Sequence, residues 1–208
     1  MKEGVHMNGE KRMAGDYEII HGIHIGNKEV VFGENQKDEF DLKYMCGYHT
    51  SNELIGCYND CMVSGDYLEI MKLFTKRVDM QIEQVWSEQE KVTVSMELIR
   101  PDECYPNDVE KSIEDKIVAI RSDVLRREYQ TGDRQIYLVR GGFGAKGNSR
   151  GSAVFATNLY SGKQTRWERQ DIQGEIKPEC LPEWVKERLA ALSVEKTKIE
   201  KPKEMERS

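Results

Sequence analysis

Residues 135–160 read QIYLVRGGFGAKGNSRGSAVFATNLY, two apolar runs around an eleven-residue loop that holds five glycines and two cations. Both flanks are short and rich in β-branched and aromatic residues, so Gln135 to Arg140 is expected as the strand leading in and Ala153 to Tyr160 as the strand leading out. Gly142 to Gly147 matches G-x-G-x-x-G letter for letter. A dinucleotide cradle requires a helix after that loop, whose N-terminus holds the pyrophosphate. Here a strand is expected instead. Protein kinases do place such a loop between strands, but the chain has no H-R-D loop, no D-F-G and no lysine in the downstream strand. The plainer expectation is a mobile β-loop that presents backbone N–H groups and cations to a partner.

Beyond the loop, Ser161-Gly162 predicts a turn into a strand at Gln164 to Arg169, which would set Ala156 opposite Trp167. Pro182 starts a short amphipathic helix to Leu192, with Trp184, Val185, Leu189 and Leu192 facing the fold. Upstream, Lys116 to Ser122 reads as a strand and Val124 to Gln130 as irregular or helical. Pro101 to Asp108 is rich in turn residues and marks an expected domain boundary.

In the first half, Tyr17, Ile19, His21, Ile23 and Ile25 alternate as one face of a strand, and Val30 and Phe32 continue a second. A hairpin is expected across Thr50-Ser51-Asn52, joining Tyr44 to His49 with Glu53 to Met62. Asp66 and Glu69 form a capping-box pair ahead of Tyr67, Ile70, Met71, Phe74, Val78, Ile82 and Val85, which recur at helical steps. Ser87 to Lys91 reads as a polar connector and Val92 to Leu98 as a further half-buried strand. The expected class is α+β. An N-terminal antiparallel β-meander (16–99) is covered by one helix, and a mostly antiparallel β second half (100–192) carries the glycine loop and a short C-terminal helix. Residues 1–15 and the charged 193–208 are expected to be disordered.

Charge is uneven. The net of −6 conceals a segment, 134–169, with seven cations and one anion, whereas 1–133 carries 16 cations and 27 anions. Arg134, Arg140, Lys146, Arg150, Lys163, Arg166 and Arg169 are the cations, and Phe143 and Trp167 could stack on a base. The competing reading makes Trp167 a core residue and pairs the arginines with Glu168, Asp171 and the acidic first half. Arg140, Phe143, Lys146, Arg150, Lys163, Arg166, Trp167 and Arg169 are therefore the expected partner-binding residues.

No metal site or cofactor is expected. His21 and His24, and likewise Cys46 and His49, differ by three residues and fall on opposite faces of an extended strand. His21 reads as a hydrogen-bonded core histidine, and Cys57 and Cys61 as buried thiols sharing a face with Ile55 and Val63. Cys104 lies near Tyr105 and Asp108 without a neighbouring histidine, and no catalytic acid, base or nucleophile is identified. The chain contains no apolar run long enough to span a bilayer and no apolar leader segment in Met1 to Asp16, so a cytoplasmic protein with free thiols is expected.

Two stretches carry a family resemblance. Cys104 to Asp108 with Ile113 to Leu125, and Gly141 to Gly174 continuing into the Leu181 to Leu189 helix, resemble an uncharacterised family encoded on conjugative elements of Gram-positive gut bacteria. Tyr17 to Val85 is similar to the N-terminal part of the same proteins. The resemblance implies a cytoplasmic accessory protein of a mobile element and transfers no catalytic residue. Three functions stand together as expectations: binding of nucleic acid or a nucleoprotein through the basic glycine loop, anti-defence inhibition of a host CRISPR or restriction nuclease, and nucleotide binding or nucleic-acid processing by an enzyme. The charge group favours a non-enzymatic binder.

Overall fold

The computed structural model describes residues 11–51 and 56–200, and the chain divides into two compact units after Lys91. It is an α+β protein with two antiparallel sheets. Residues 1–10, 52–55 and 201–208 lie outside the described residues, and with them Asn52 of the expected hairpin turn and the expected start of its second strand at Glu53.

The first unit is a meander of β1 (Met13–Ala14), β2 (Tyr17–Ile25), β3 (Lys28–Glu34), β4 (Tyr44–Ser51) and β5 (Gly56–Ser64), hydrogen-bonded in sequence order. Helix α1 (Tyr67–Glu90) packs on one face, where Ile70 and Phe74 meet Val30, Phe32, Cys46 and Tyr48. Asp66 caps it by accepting the N–H groups of Leu68 and Glu69 at 2.8 and 3.2 Å. The reciprocal half of the expected capping box is relayed: the Ser64 hydroxyl donates to Glu69 at 2.6 Å and accepts from the Asp66 N–H at 3.1 Å. Ser87 to Glu90, expected as connector, forms the last turn of α1, since it contains neither glycine nor proline to end the helix.

Two bulges change the faces that alternation predicts. The β2–β3 register shifts between Ile19 and His21. Tyr17 and Ile19 therefore join Ala14, Val31 and Met45 on the face away from α1, while His21 stands opposite Phe32 and is exposed. His21 is thus a surface residue, with its ring 6.0 Å from that of Phe32. In β5 the register shifts so that Asp60 and Cys61 together face Gly47, and Asp60 takes φ 49°, a conformation its short polar side chain tolerates. The extra residue sends Cys57 and Cys61 to opposite faces, and both are exposed rather than buried.

The second unit begins at Val92, upstream of the expected boundary. Its strands are β6 (Ile117–Ile120), β7 (Ile136–Gly141), β8 (Ala153–Asn158), β9 (Gln164–Glu168) and β10 (Ile172–Glu175), ordered β10-β6-β7-β8-β9, and a four-residue helix α2 (Gly132–Gln135) precedes β7. The two edge strands, β9 and β10, are joined by one turn of 3₁₀ helix at Arg169–Asp171. Opposite edges of a flat five-strand sheet would lie about 19 Å apart, whereas such a turn spans roughly 8 Å. The sheet is consequently rolled. Val118, Ile120, Tyr137, Val139, Val154, Ala156 and Ile172 fill its inside. Ala119 and Ile136 face outward and are covered by Val185 of helix α3 (Glu183–Glu200), with Trp184, Leu189 and Leu192 beside it as their spacing predicts. The helix continues past Leu192, through a run rich in Glu and Lys that favours helix.

Pro101 to Asp108 is not a linker. Tyr105 donates its N–H to Glu175 O at 2.8 Å, Cys104 bridges to Ile176, and Asn107 donates to the carbonyls of Arg169 and Ile172. Val92 to Leu98 alternates in burial as a strand would, yet joins no ladder. It is anchored by Gly132 N–H to Met96 O at 2.9 Å and by the fully buried Gln135, which accepts from Ile99 N–H at 2.7 Å and donates to Ile99 O and Ile120 O. Gln135→Ala leaves those groups unpaired in the interior and is expected to cost about 2–4 kcal/mol, read as a lowered urea midpoint.

Candidate binding surface on the rolled sheet

The glycine loop runs from β7 to β8, so a strand follows it, as expected. It is tied to its surroundings by hydrogen bonds. Phe143–Ala145 forms a 3₁₀ turn with Gly144 and Ala145 buried. Ile113 N–H donates to Ala145 O at 2.8 Å, Asn148 N–H donates to Val109 O at 3.0 Å, and the Arg169 guanidinium donates to Gly144 O at 3.1 Å. Its backbone groups are thus used to fasten the loop to Val109–Ile113. Two glycines are needed for distinct reasons. Gly142 has φ 113°, unfavourable for other residues, and a Cβ on Gly144 would be driven into the Ser152 carbonyl.

Arg169, expected at the contact surface, is only 7% exposed. Its guanidinium donates to Asn107 Oδ1 at 2.9 Å, Asp108 O at 2.6 Å and Lys111 O at 3.1 Å, besides Gly144. Burial pulls its pKa below the ordinary arginine value. Arg169 is the peg that holds the glycine loop, the Asn107–Lys111 segment and the β9–β10 turn together. Trp167 also points inward, packed against the interior with its ring 5.5 Å from Tyr137 in an edge-on contact. It pairs with Val154, not Ala156. The β8–β9 connection is wider than a two-residue turn because Asn158 Oδ1 accepts from both the backbone N–H and hydroxyl of Ser161. Arg134 is drawn aside by Asp133 at 3.3 Å and by the Tyr129 ring at 4.6 Å.

The strand alternation that sends Val154, Ala156, Thr165 and Trp167 inward turns Phe155 and Arg166 outward, where they are cross-strand partners. Arg140, at the bulge between Val139 and Gly141, lies on the same outer surface and donates to Thr157 Oγ1 at 3.2 Å. Together they border a shallow depression of about 220 Å³. Phe155 is 52% exposed. Sequence reasoning missed it, although its place between two inward-facing residues was a usable signal. Arg166 pairs with Glu168 at 2.5 Å, an exposed ion pair of little net strength that an incoming phosphate can displace. Phe143, 72% exposed, stands against Gly151. Lys146 and Arg150 are exposed on the loop and Lys163 on the β8–β9 turn. The structure therefore brings together Arg140, Arg166 and Phe155, and removes Trp167 and Arg169 from the surface.

The described residues contain no cluster of three histidine, cysteine or acidic side chains able to hold a metal. In the first unit a polar cluster centres on an ion pair. Arg12 grips Glu29 at 2.7 and 2.6 Å, holding that carboxyl below its usual range, and His49 Nδ1 lies 3.1 Å from the same carboxylate. Burial pushes the thiols of Cys46 and Cys104 up, away from the thiolate form that would make a nucleophile. Among the described residues, no helix is long and apolar enough to cross a membrane. Comparison of the chain with family models, curated proteins and solved structures finds no match.

Proposed function

We propose that the second unit binds nucleic acid, free or in a nucleoprotein complex, through the outer face of β7, β8 and β9. One observation carries this reading: the exposed Phe155 lies between Arg140 and Arg166 on adjoining strands. A phenyl face stacks on any base, and guanidinium groups on either side suit the phosphates that flank it. Lys146 and Arg150 on the β7–β8 loop and Lys163 on the β8–β9 turn add exposed cations without ion-pair partners among the described residues. Phe143 offers a second ring. The cytoplasmic, mobile-element setting implied by the family resemblance belongs to the same reading.

Fluorescence anisotropy with labelled single-stranded and duplex oligonucleotides of mixed sequence tests it. Phe155→Ala is expected to weaken single-strand binding by about 1–3 kcal/mol. Arg140→Glu with Arg166→Glu should also flatten the salt dependence, by roughly 1.5 in the log–log slope for two phosphate contacts. Binding that ignores salt and all three substitutions would reject the proposal, as would no binding of either oligonucleotide.

A further inference from the structure

The depression beside Phe155 is small and has one aromatic wall. Its volume of about 220 Å³ lies below the roughly 300–1,000 Å³ of pockets that enclose a whole drug-sized ligand. It has room for one planar ring system and not for a stack of bases. The outward neighbours of Phe155 along β8 are Ala153 and Thr157, so the strand offers no second ring to stack on.

Gln164 supplies the opposite wall. It stands across the ladder from Thr157 and two residues from Arg166, which puts it on the same outer face, diagonal to Phe155. Diagonal neighbours lie about 7–8 Å apart, a gap that one base stacked on Phe155 can bridge. The Gln164 side-chain amide is exposed and makes no hydrogen bond among the described residues. It holds out both a donor and an acceptor to a base edge.

The three strands also set a direction. Arg140 of β7 and Arg166 of β9 flank Phe155 of β8. Strands two apart are separated by roughly 10 Å, which two long side chains can close onto the phosphates before and after one nucleotide. A free mononucleotide carries phosphate on one side of its sugar and leaves one guanidinium unused. In a duplex the base faces are covered by neighbouring pairs, so Phe155 reaches none except at an end.

Resting on the nucleic-acid reading above, we infer that this face takes a single strand running across β7, β8 and β9, with one unstacked base seated on Phe155 and its edge hydrogen-bonded by Gln164. The strand is recognised by its form and not by its sequence, because a phenyl ring stacks on any base and the amide can donate or accept.

The test is anisotropy of a labelled single-stranded octanucleotide of mixed sequence on the full chain, with unlabelled competitors. An octamer of abasic deoxyribose phosphates keeps every phosphate and no base, and is expected to compete roughly tenfold or more worse. Phe155→Ala should weaken the normal octamer by the same factor and leave the abasic octamer and a long duplex unchanged, whereas Phe155→Trp should retain binding. Gln164→Ala should weaken the normal octamer severalfold and spare the abasic one. Both side chains are exposed, so thermal midpoints should hold in all three variants. Equal competition by the abasic and normal octamers would overturn the inference while leaving phosphate binding by this face intact. An equal loss for strand and duplex on Phe155→Ala would do the same, as would competition by a 5′-mononucleotide as strong as by the octamer. Absence of salt-dependent binding by every oligonucleotide would overturn the underlying reading as well.

Discussion

Arg169→Ala is expected to destabilise the second unit by about 3–5 kcal/mol. The guanidinium is the shared donor for three backbone carbonyls and Asn107 Oδ1. Removing it leaves the buried Gly144 carbonyl and three part-buried acceptors without their donor and unpins the glycine loop from Asn107–Lys111. Arg169→Lys keeps the charge but replaces a planar fork by one ammonium, so it should recover only part of the loss. Urea unfolding followed by tryptophan fluorescence in a Trp86→Phe background, where Trp167 and Trp184 of the second unit report, measures it. A shift of about 2 M in the midpoint is expected for alanine, and an unchanged midpoint would mean that water substitutes for the guanidinium.

Gly144→Ala is expected to cost about 2–4 kcal/mol through overpacking. The added methyl meets the Ser152 carbonyl, and that carbonyl cannot retreat freely because it accepts the Arg169 N–H at 2.7 Å. Strain introduced at Gly144 is therefore transmitted to the same cluster that Arg169 holds. In a double-mutant cycle the two substitutions should be clearly non-additive, the pair costing less than the sum by at least about 0.5 kcal/mol. Additivity would show that the loop and the arginine act independently.

What could be read from the chain was local. Helix α1 announced itself through Asp66 and the steps from Tyr67 to Phe74, because cap and apolar face lie within a few turns of one another. The strands flanking the glycine loop were equally legible, and with them the absence of a helix where a dinucleotide cradle needs one. Alternation, however, reports which side chains are buried and says nothing about ladder partners. That is why Val92–Leu98 reads as a strand and forms none. A one-residue bulge leaves no mark in composition, so alternation alone misplaces His21, Cys57 and Cys61. Exposure on the candidate surface is misread in both directions for one reason. Arg169 reads as exposed because it is charged, and Phe155 escapes notice because apolar strand residues are usually core. Only the carbonyls gathered around Arg169 and the inward turn of Val154 and Ala156 decide these positions.

The joining of β9 to β10 by a single turn has a consequence for how the protein is made. Strand β6 lies between β7 and β10, and Ile120 finds its partner only when Ile172 arrives. During synthesis from the N-terminus, β6 to β9 can assemble as hairpins while one edge of β6 stays open and the interior remains unsealed. Arg169, the residue that locks the loop, emerges just before the closing strand. Completion of the second unit is thus a late, long-range event, and a ribosome-stalled chain ending before Ile172 should remain sensitive to protease, with protection appearing once β10 and its flanking segment have cleared the exit tunnel.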